Sequence, residues 1–229
     1  MVPRLIVFDL DGTLIDSQVD LANSVNVMLG HLGKPPLPHA VIASYIGDGA
    51  SMLVRRALGD PEGDAHDVEV VDGALRFFMD YYREHKLDFT FVYEGVIGAL
   101  EAIRAEWPGV AMAVLTNKPV WPSRDICAHF GLERFFFQNY GGNSFHTKKP
   151  DGAGLLALIA EASALGGGVI GAGEVVMVGD SDVDVLTARN CGAWAVGCTY
   201  GLAPERLRAA GPDVLVDAPG EWLAAIRGL

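Results

Sequence analysis

The sequence predicts an α/β fold, a Rossmann-like parallel sheet core into which an all-α cap subdomain is inserted. Three observations lead there. Short β-branched runs recur, each followed by a helical pattern, which is how a parallel sheet covered by helices reads. About 100 residues separate the first run from the second, far more than the roughly dozen a crossover needs. That stretch spaces its apolar residues three and four apart (Leu21, Val25, Met28, Leu29, Leu32) with almost no alternation, so it is expected to be helical. With 229 residues in all, the chain suits a core of 1–15 and 91–229 and a helical cap of 16–90.

The elements follow in order. Residues 5–9 give the first strand, four apolar residues ending on Asp9. The cap comes next. Its stretch from Asp60 to Asp72 holds six acids and no lysine or arginine and is expected to be a solvated loop and helix start. Further strands are expected at 111–116, 135–140, 174–178, 194–198 and 214–216. Phe77-Phe78 and the aromatics at 135–137 are expected in the core. Gly166-Gly167-Gly168-Val169-Ile170-Gly171 matches G-x-G-x-x-G in form, but it precedes a strand, whereas a dinucleotide fingerprint follows one; it is read as a loop. No internal repeat is present.

Half the residues are apolar and a fifth are charged, ordinary globular proportions that exclude disordered and collagen-like chains. A net charge of −12 repels nucleic acid and anionic lipid. The opening apolar run is too short for a signal segment or a membrane span. Three cysteines without C-x-x-C spacing point to a reducing, cytoplasmic setting, with Cys191 and Cys198 read as packing residues. The six histidines are scattered, which argues against zinc, and only His146 stands near a motif. The expected partner is a small molecule, with no nucleic acid or membrane, for a monomer or homodimer.

Chemistry concentrates at strand ends. In Asp9-Leu10-Asp11-Gly12-Thr13 the two acids lie two apart, so both can face one point beyond the strand's carboxyl end, where open α/β sheets bind ligands. Gly12 permits a sharp turn that brings amides toward an anion, and Thr13 adds a hydroxyl. Two carboxylates so close imply a divalent cation or a shared proton. Gly179-Asp180-Ser181-Asp182-Val183-Asp184 repeats the theme, with Asp180 at a strand end and Asp184 four residues on, on the same face of a helix. Asp182 is explained by helix capping alone. Thr116-Asn117 ends another strand, and Lys149-Pro150 precedes a helix; Thr116 can donate a hydrogen bond to a phosphate oxygen and Lys149 can balance its charge.

In that order and spacing the four motifs resemble those of the haloacid dehalogenase-like hydrolase superfamily, whose Mg²⁺-dependent phosphatases carry D-x-D-G-T, a strand-ending Ser/Thr, a Lys and G-D-x-x-x-D. The segments Ile46-Gly47-Asp48-Gly49-Ala50, Thr116-Asn117-Lys118-Pro119 and Thr199-Tyr200-Gly201 are similar to those of bacterial phosphoglycolate phosphatases. The resemblance implies a phosphomonoester hydrolase of a small metabolite, 2-phosphoglycolate first. It makes Asp9 the nucleophile that forms an aspartyl-phosphate and Asp11 the acid–base group. Asp9, the Asp11 backbone carbonyl and Asp180 would hold Mg²⁺, with Asp184 orienting Lys149 or a metal-bound water. Gly12, Thr13 and Asn117 are the further candidates for binding substrate in the core.

In the cap, Asp48-Gly49-Ala50 starts a helix whose amides could receive an anion, with Leu53, Val54, Ala57 and Leu58 on its buried face. Arg55 is the candidate carboxylate reader, and Arg56 points elsewhere than the buried face. The chain departs from the family at Glu94 and Gly152, where relatives commonly carry proline. Alternatives are a phosphomutase of the β-phosphoglucomutase type and a non-catalytic phosphate-sensing module. A dehalogenase has no use for Asp11, and a phosphonatase-like enzyme needs a cap lysine that residues 48–58 lack.

Overall fold

The computed structural model describes residues 1–60, 62 and 66–229. It opens with β1 (Leu5–Phe8), whose residues are all fully buried, as befits a strand covered on both faces. A two-residue strand, β2 (Ile15–Asp16), leads into four helices, α1 (Gln18–His31), α2 (His39–Ala43), α3 (Ala50–Leu58) and α4 (Val68–His85). The chain returns through β3 (Phe91–Val92), antiparallel to β2, so exit and re-entry run side by side. Helix and strand then alternate through α5 (Val96–Glu106), β4 (Ala111–Leu115), α6 (Val120–His129), β5 (Gln138–Tyr140) and α7 (Ala153–Leu165). The rest comprises β6 (Val175–Gly179), α8 (Asp182–Asn190), β7 (Trp194–Cys198), α9 (Pro204–Ala210), β8 (Val214–Val216) and α10 (Trp222–Gly228).

The six longer strands form one parallel sheet in the order β5-β4-β1-β6-β7-β8. Alternation sorts its side chains. Ile6, Phe8, Met112, Val114, Val176 and Val178 pack with α5, α6 and α10, while Leu5, Val7, Ala113, Leu115, Val175 and Met177 pack with α7, α8 and α9. Phe8 pairs with Val114 on one side and Val178 on the other, so β1, β4 and β6 end level. The strand order reverses at β1, and such a switch point opens a crevice beyond the strands' carboxyl ends.

The helical cap has its own core of Leu21, Val25, Met28, Leu29, Ile42, Leu53, Val54, Phe78 and Tyr82. Leu32 closes α1 and is exposed rather than part of that stripe. Where the chain re-enters the core, the buried Asp20 carboxylate accepts bonds from the amides of Phe89 (3.0 Å) and Thr90 (2.8 Å) and from the Thr90 hydroxyl (2.7 Å). Lys86 of the cap also meets Asp125 of α6 at 2.7 Å and lies over the Trp121 ring.

Three expectations need correction. The strand expected at 135–140 is confined to Gln138–Tyr140, because Glu133–Phe135 winds into a 3₁₀ turn that sinks Phe135 into the core. The β2–β3 ribbon, two residues on each strand, was not anticipated; so short a pair carries no alternation to read. In the acidic stretch, Asp60 is buried and paired with Arg55 at 3.3 Å, while the part at 61 and 63–65 lies outside the described residues.

Candidate active site

Asp9 follows β1, and its amide donates to the Val178 carbonyl at 2.9 Å, the ladder's last step before the carboxylate reaches the crevice. Asp180 follows β6 in the same way, and Asp184 lies in the first turn of α8. Oxygens of Asp9, Asp180 and Asp184 approach within 4.8 Å of one another, all three residues buried. Lys149, from the loop before α7, puts its ammonium 2.9 Å from Asp9 and 2.6 Å from Asp184. The Ser181 amide (3.1 Å) and hydroxyl (2.8 Å) hold the other Asp184 oxygen, so a helix start fixes the residue that fixes the lysine.

The charges do not balance. Three buried carboxylates face one buried ammonium. Burial pushes Asp9 up to about 6; Lys149 opposes the rise and Asp184 adds to it. Asp180 is raised well above the usual carboxylate range by burial first, then by Asp184 and Asp9. For Lys149, burial works against the charged form, but Asp184 and Asp9 together outweigh it and raise its pKa. An excess of buried anionic oxygens fits a hard divalent cation, which removes the mutual repulsion.

The turn after Asp9 is built around Gly12, at φ +82°. A side chain there would enter the Asp180 carboxylate, so only glycine allows the two acidic loops to close together. The Gly12 amide donates to the Ile15 carbonyl (2.9 Å) and the Thr13 amide to Leu10 (3.3 Å). Both are therefore engaged in the turn itself, contrary to the expected anion cradle. Thr13 is fully buried, its hydroxyl has no partner among the described residues, and it does not line the cleft. Across the site, the loop after β7 covers Asp180: Leu202 donates its amide at 2.6 Å, and Gly201 is so close that a side chain would meet the carboxylate.

Asp11 stands outside the acidic cluster and, with Asp9, lines a cleft beside Leu21, Leu53, Tyr82 and Thr116. Ser17 donates to its carboxylate at 2.5 Å, and Lys118 reaches both its oxygens at 2.9 and 3.0 Å. Lys118, three residues past β4, has no role in the sequence reading. The available signal was a lysine just beyond a strand that ends at the same edge. Burial disfavours its charge, yet Asp11 and Tyr82 keep its pKa raised. Thr116 lines the cleft and accepts the Lys118 amide at 3.2 Å. Asn117 donates to both the Gly47 and Lys149 carbonyls at 3.0 Å, tying the cap loop to the lysine loop.

The cap candidates divide. Gly49 lines the cleft, with φ +84° and no room for a side chain beside the Asn117 carbonyl. Asp48 pairs with Arg56 at 2.5 Å, and its carbonyl accepts Lys148 at 2.5 Å. Arg55 is turned toward Asp60 and is absent from the cleft lining, since the face that buries Leu53 and Val54 inward sends position 55 outward. His146 is exposed outside it. Gly152 abuts Cys191: a side chain there would sit 2.7 Å from its sulfur. Cys127 and Cys198 are buried and free, their thiols pushed up to about 12 by burial.

The model of the haloacid dehalogenase-like hydrolase family matches residues 6–198. The chain belongs to this family. As a haloacid dehalogenase-like hydrolase it is similar to proteins named phosphoglycolate phosphatase. One from Pseudomonas putida is 40% identical over 94% of this chain and 77% of its own length. Another from Chromobacterium violaceum is 38% identical over 95% and 94%. Among solved structures, a predicted phosphoglycolate phosphatase from Haemophilus somnus superposes with a TM-score of 0.87 at 31% identity, covering 97% of each chain. No described helix of this hydrolase is long and apolar enough to cross a membrane.

Proposed function

We propose that the chain is a magnesium-dependent phosphomonoester hydrolase that acts through an aspartyl-phosphate, with 2-phosphoglycolate as its substrate. The observation that carries this reading is the convergence of Asp9, Asp180, Asp184 and Lys149 at one sheet edge. The relatives named phosphoglycolate phosphatase support the choice of substrate.

Asp9 attacks phosphorus as the ester oxygen departs, and Asp11 gives that oxygen its proton. Asp11 then takes a proton from the water that splits the aspartyl-phosphate, which returns Asp9 and releases phosphate. Lys149 keeps Asp9 ionised and draws charge from the equatorial oxygens; Asp184 holds the ammonium in place. The Thr116 hydroxyl donates to a phosphate oxygen. Asp9, Asp180 and the Asp11 backbone carbonyl would hold Mg²⁺, which supplies the positive charge that lets a carboxylate approach a phosphate dianion. Residues 16–90 act as the cap and 1–15 with 91–229 as the core, the β2–β3 ribbon forming their seam. Three free cysteines favour a reducing cytoplasm.

The test is phosphate release from 2-phosphoglycolate with Mg²⁺, lost on adding EDTA. Asp9→Asn should lower the rate at least about a thousandfold with an unchanged circular dichroism spectrum. Wild-type turnover in that variant would overturn the nucleophile, and a preference for nucleotides or pyrophosphate would overturn the substrate.

A further inference from the structure

We propose that Lys118 and Tyr82 form a subsite for a carboxylate one carbon from the ester oxygen, which selects phosphorylated 2-hydroxy acids over uncharged phosphate esters. This rests on the phosphatase reading above. Beyond Asp9 and Asp11, the cleft is lined largely by apolar groups, among them Leu21, Ile46, Leu53, Phe78 and Met79. Lys118 is the only lysine or arginine among the described residues that line it. The other nearby cations are turned away from the cleft lining, Arg55 to Asp60, Arg56 to Asp48 and Lys148 to the Asp48 carbonyl, whereas Lys118 stays in it beside Asp11.

A second, independent observation points to a ligand. Tyr82 of α4 is 2% exposed and lines the same cleft; its oxygen faces the Lys118 ammonium, while its proton finds no acceptor among the described residues. A buried donor without an acceptor is costly, and native structures keep few of them. Its ring lies 4.9 Å from the Lys118 ammonium, so a cap donor and a core cation sit together. An incoming carboxylate would satisfy both, one oxygen taking a charge-assisted bond from Lys118 and the other the tyrosine proton. Because Lys118 also grips Asp11, two residues from Asp9, the second anion would lie close to the reacting phosphoryl group.

The experiment compares kcat/KM for 2-phosphoglycolate and for ethyl phosphate, which carries a methyl group in place of the carboxylate. Lys118→Met should lower both through Asp11, but phosphoglycolate by at least about 30-fold more than ethyl phosphate. Tyr82→Phe, which preserves the ring and the packing, should lower phosphoglycolate by about 5-fold more. Equal losses on the two esters in Lys118→Met would overturn the subsite and leave Lys118 as a support for Asp11. If that variant does not fold, Tyr82→Phe decides, and an unchanged ratio overturns the proposal. Wild-type enzyme that hydrolyses both esters equally well refutes the subsite but keeps the phosphatase reading; hydrolysis of neither ends both.

Discussion

Removing the Asp20 carboxylate should loosen the seam between cap and core by a calculable amount. It is 1% exposed and accepts from two amides and a hydroxyl, at 2.7 to 3.0 Å. In Asp20→Ala the exposed Phe89 recovers water for its amide, and the Thr90 hydroxyl can rotate. The buried Thr90 amide cannot do either, and stranding it costs about 1–3 kcal/mol. Adding roughly 1 kcal/mol for each of the two other bonds lost gives a destabilisation of about 3–5 kcal/mol. Asp20→Asn keeps one acceptor oxygen for Thr90 and turns its NH₂ toward the Phe89 amide, a single donor–donor conflict worth about 1–2 kcal/mol. Urea unfolding followed by circular dichroism and by tryptophan fluorescence measures both, with the m-value as a check that the transition remains cooperative. A loss under about 1 kcal/mol in Asp20→Ala, or equal losses in the two variants, would refute the reasoning.

The acidic cluster predicts a pH-dependent response to metal. Because the folded Asp9 pKa is raised from 3.8 to about 6, the folded metal-free protein binds more protons than the unfolded chain in that window, and this group's contribution to stability falls as pH rises through it. Magnesium offsets the ionised form, so the rise in Tm on adding Mg²⁺ should be larger at pH 7.5 than at pH 5; an equal or smaller rise contradicts the site. For the same reason Asp9→Asn should unfold no earlier than wild type at pH 7.5 without metal, a result read by calorimetry alongside its loss of turnover. Gly49→Ala would force a side chain onto a residue at φ +84° against the Asn117 carbonyl, 2.8 Å away. It should lower kcat/KM on 2-phosphoglycolate about tenfold or more by holding the cap off the core, with a Tm change of a few degrees; unchanged kinetics would show that cap closure does not need that contact.

Much of the fold and of the chemistry could be read from the chain alone, because both are written locally. A buried parallel strand is a short apolar run, and β1, β4, β6, β7 and β8 lie within a residue of where such runs were read. Asp9 and Asp180 were placed because an acid directly after such a run has nowhere to go but the sheet's carboxyl edge. The cap helices were legible from their spacing. What stayed hidden was pairing across distance. Lys118 meets Asp11 from 107 positions away, and Phe89 meets Asp20 from 69; neither contact leaves a periodic trace in the chain. Tyr82 reads as one more apolar position on α4, and the sequence singles out Arg55 as the anion reader while giving Lys118 no role. The buried face of α3 turns Arg55 toward Asp60 within the cap, and the packing of cap on core encloses Lys118 in the cleft. Sequence sets what each segment buries and which strand ends carry acid, since those follow from a few adjacent residues. Which side chains then face each other is decided by how two separately cored lobes close, and that depends on the whole molecule.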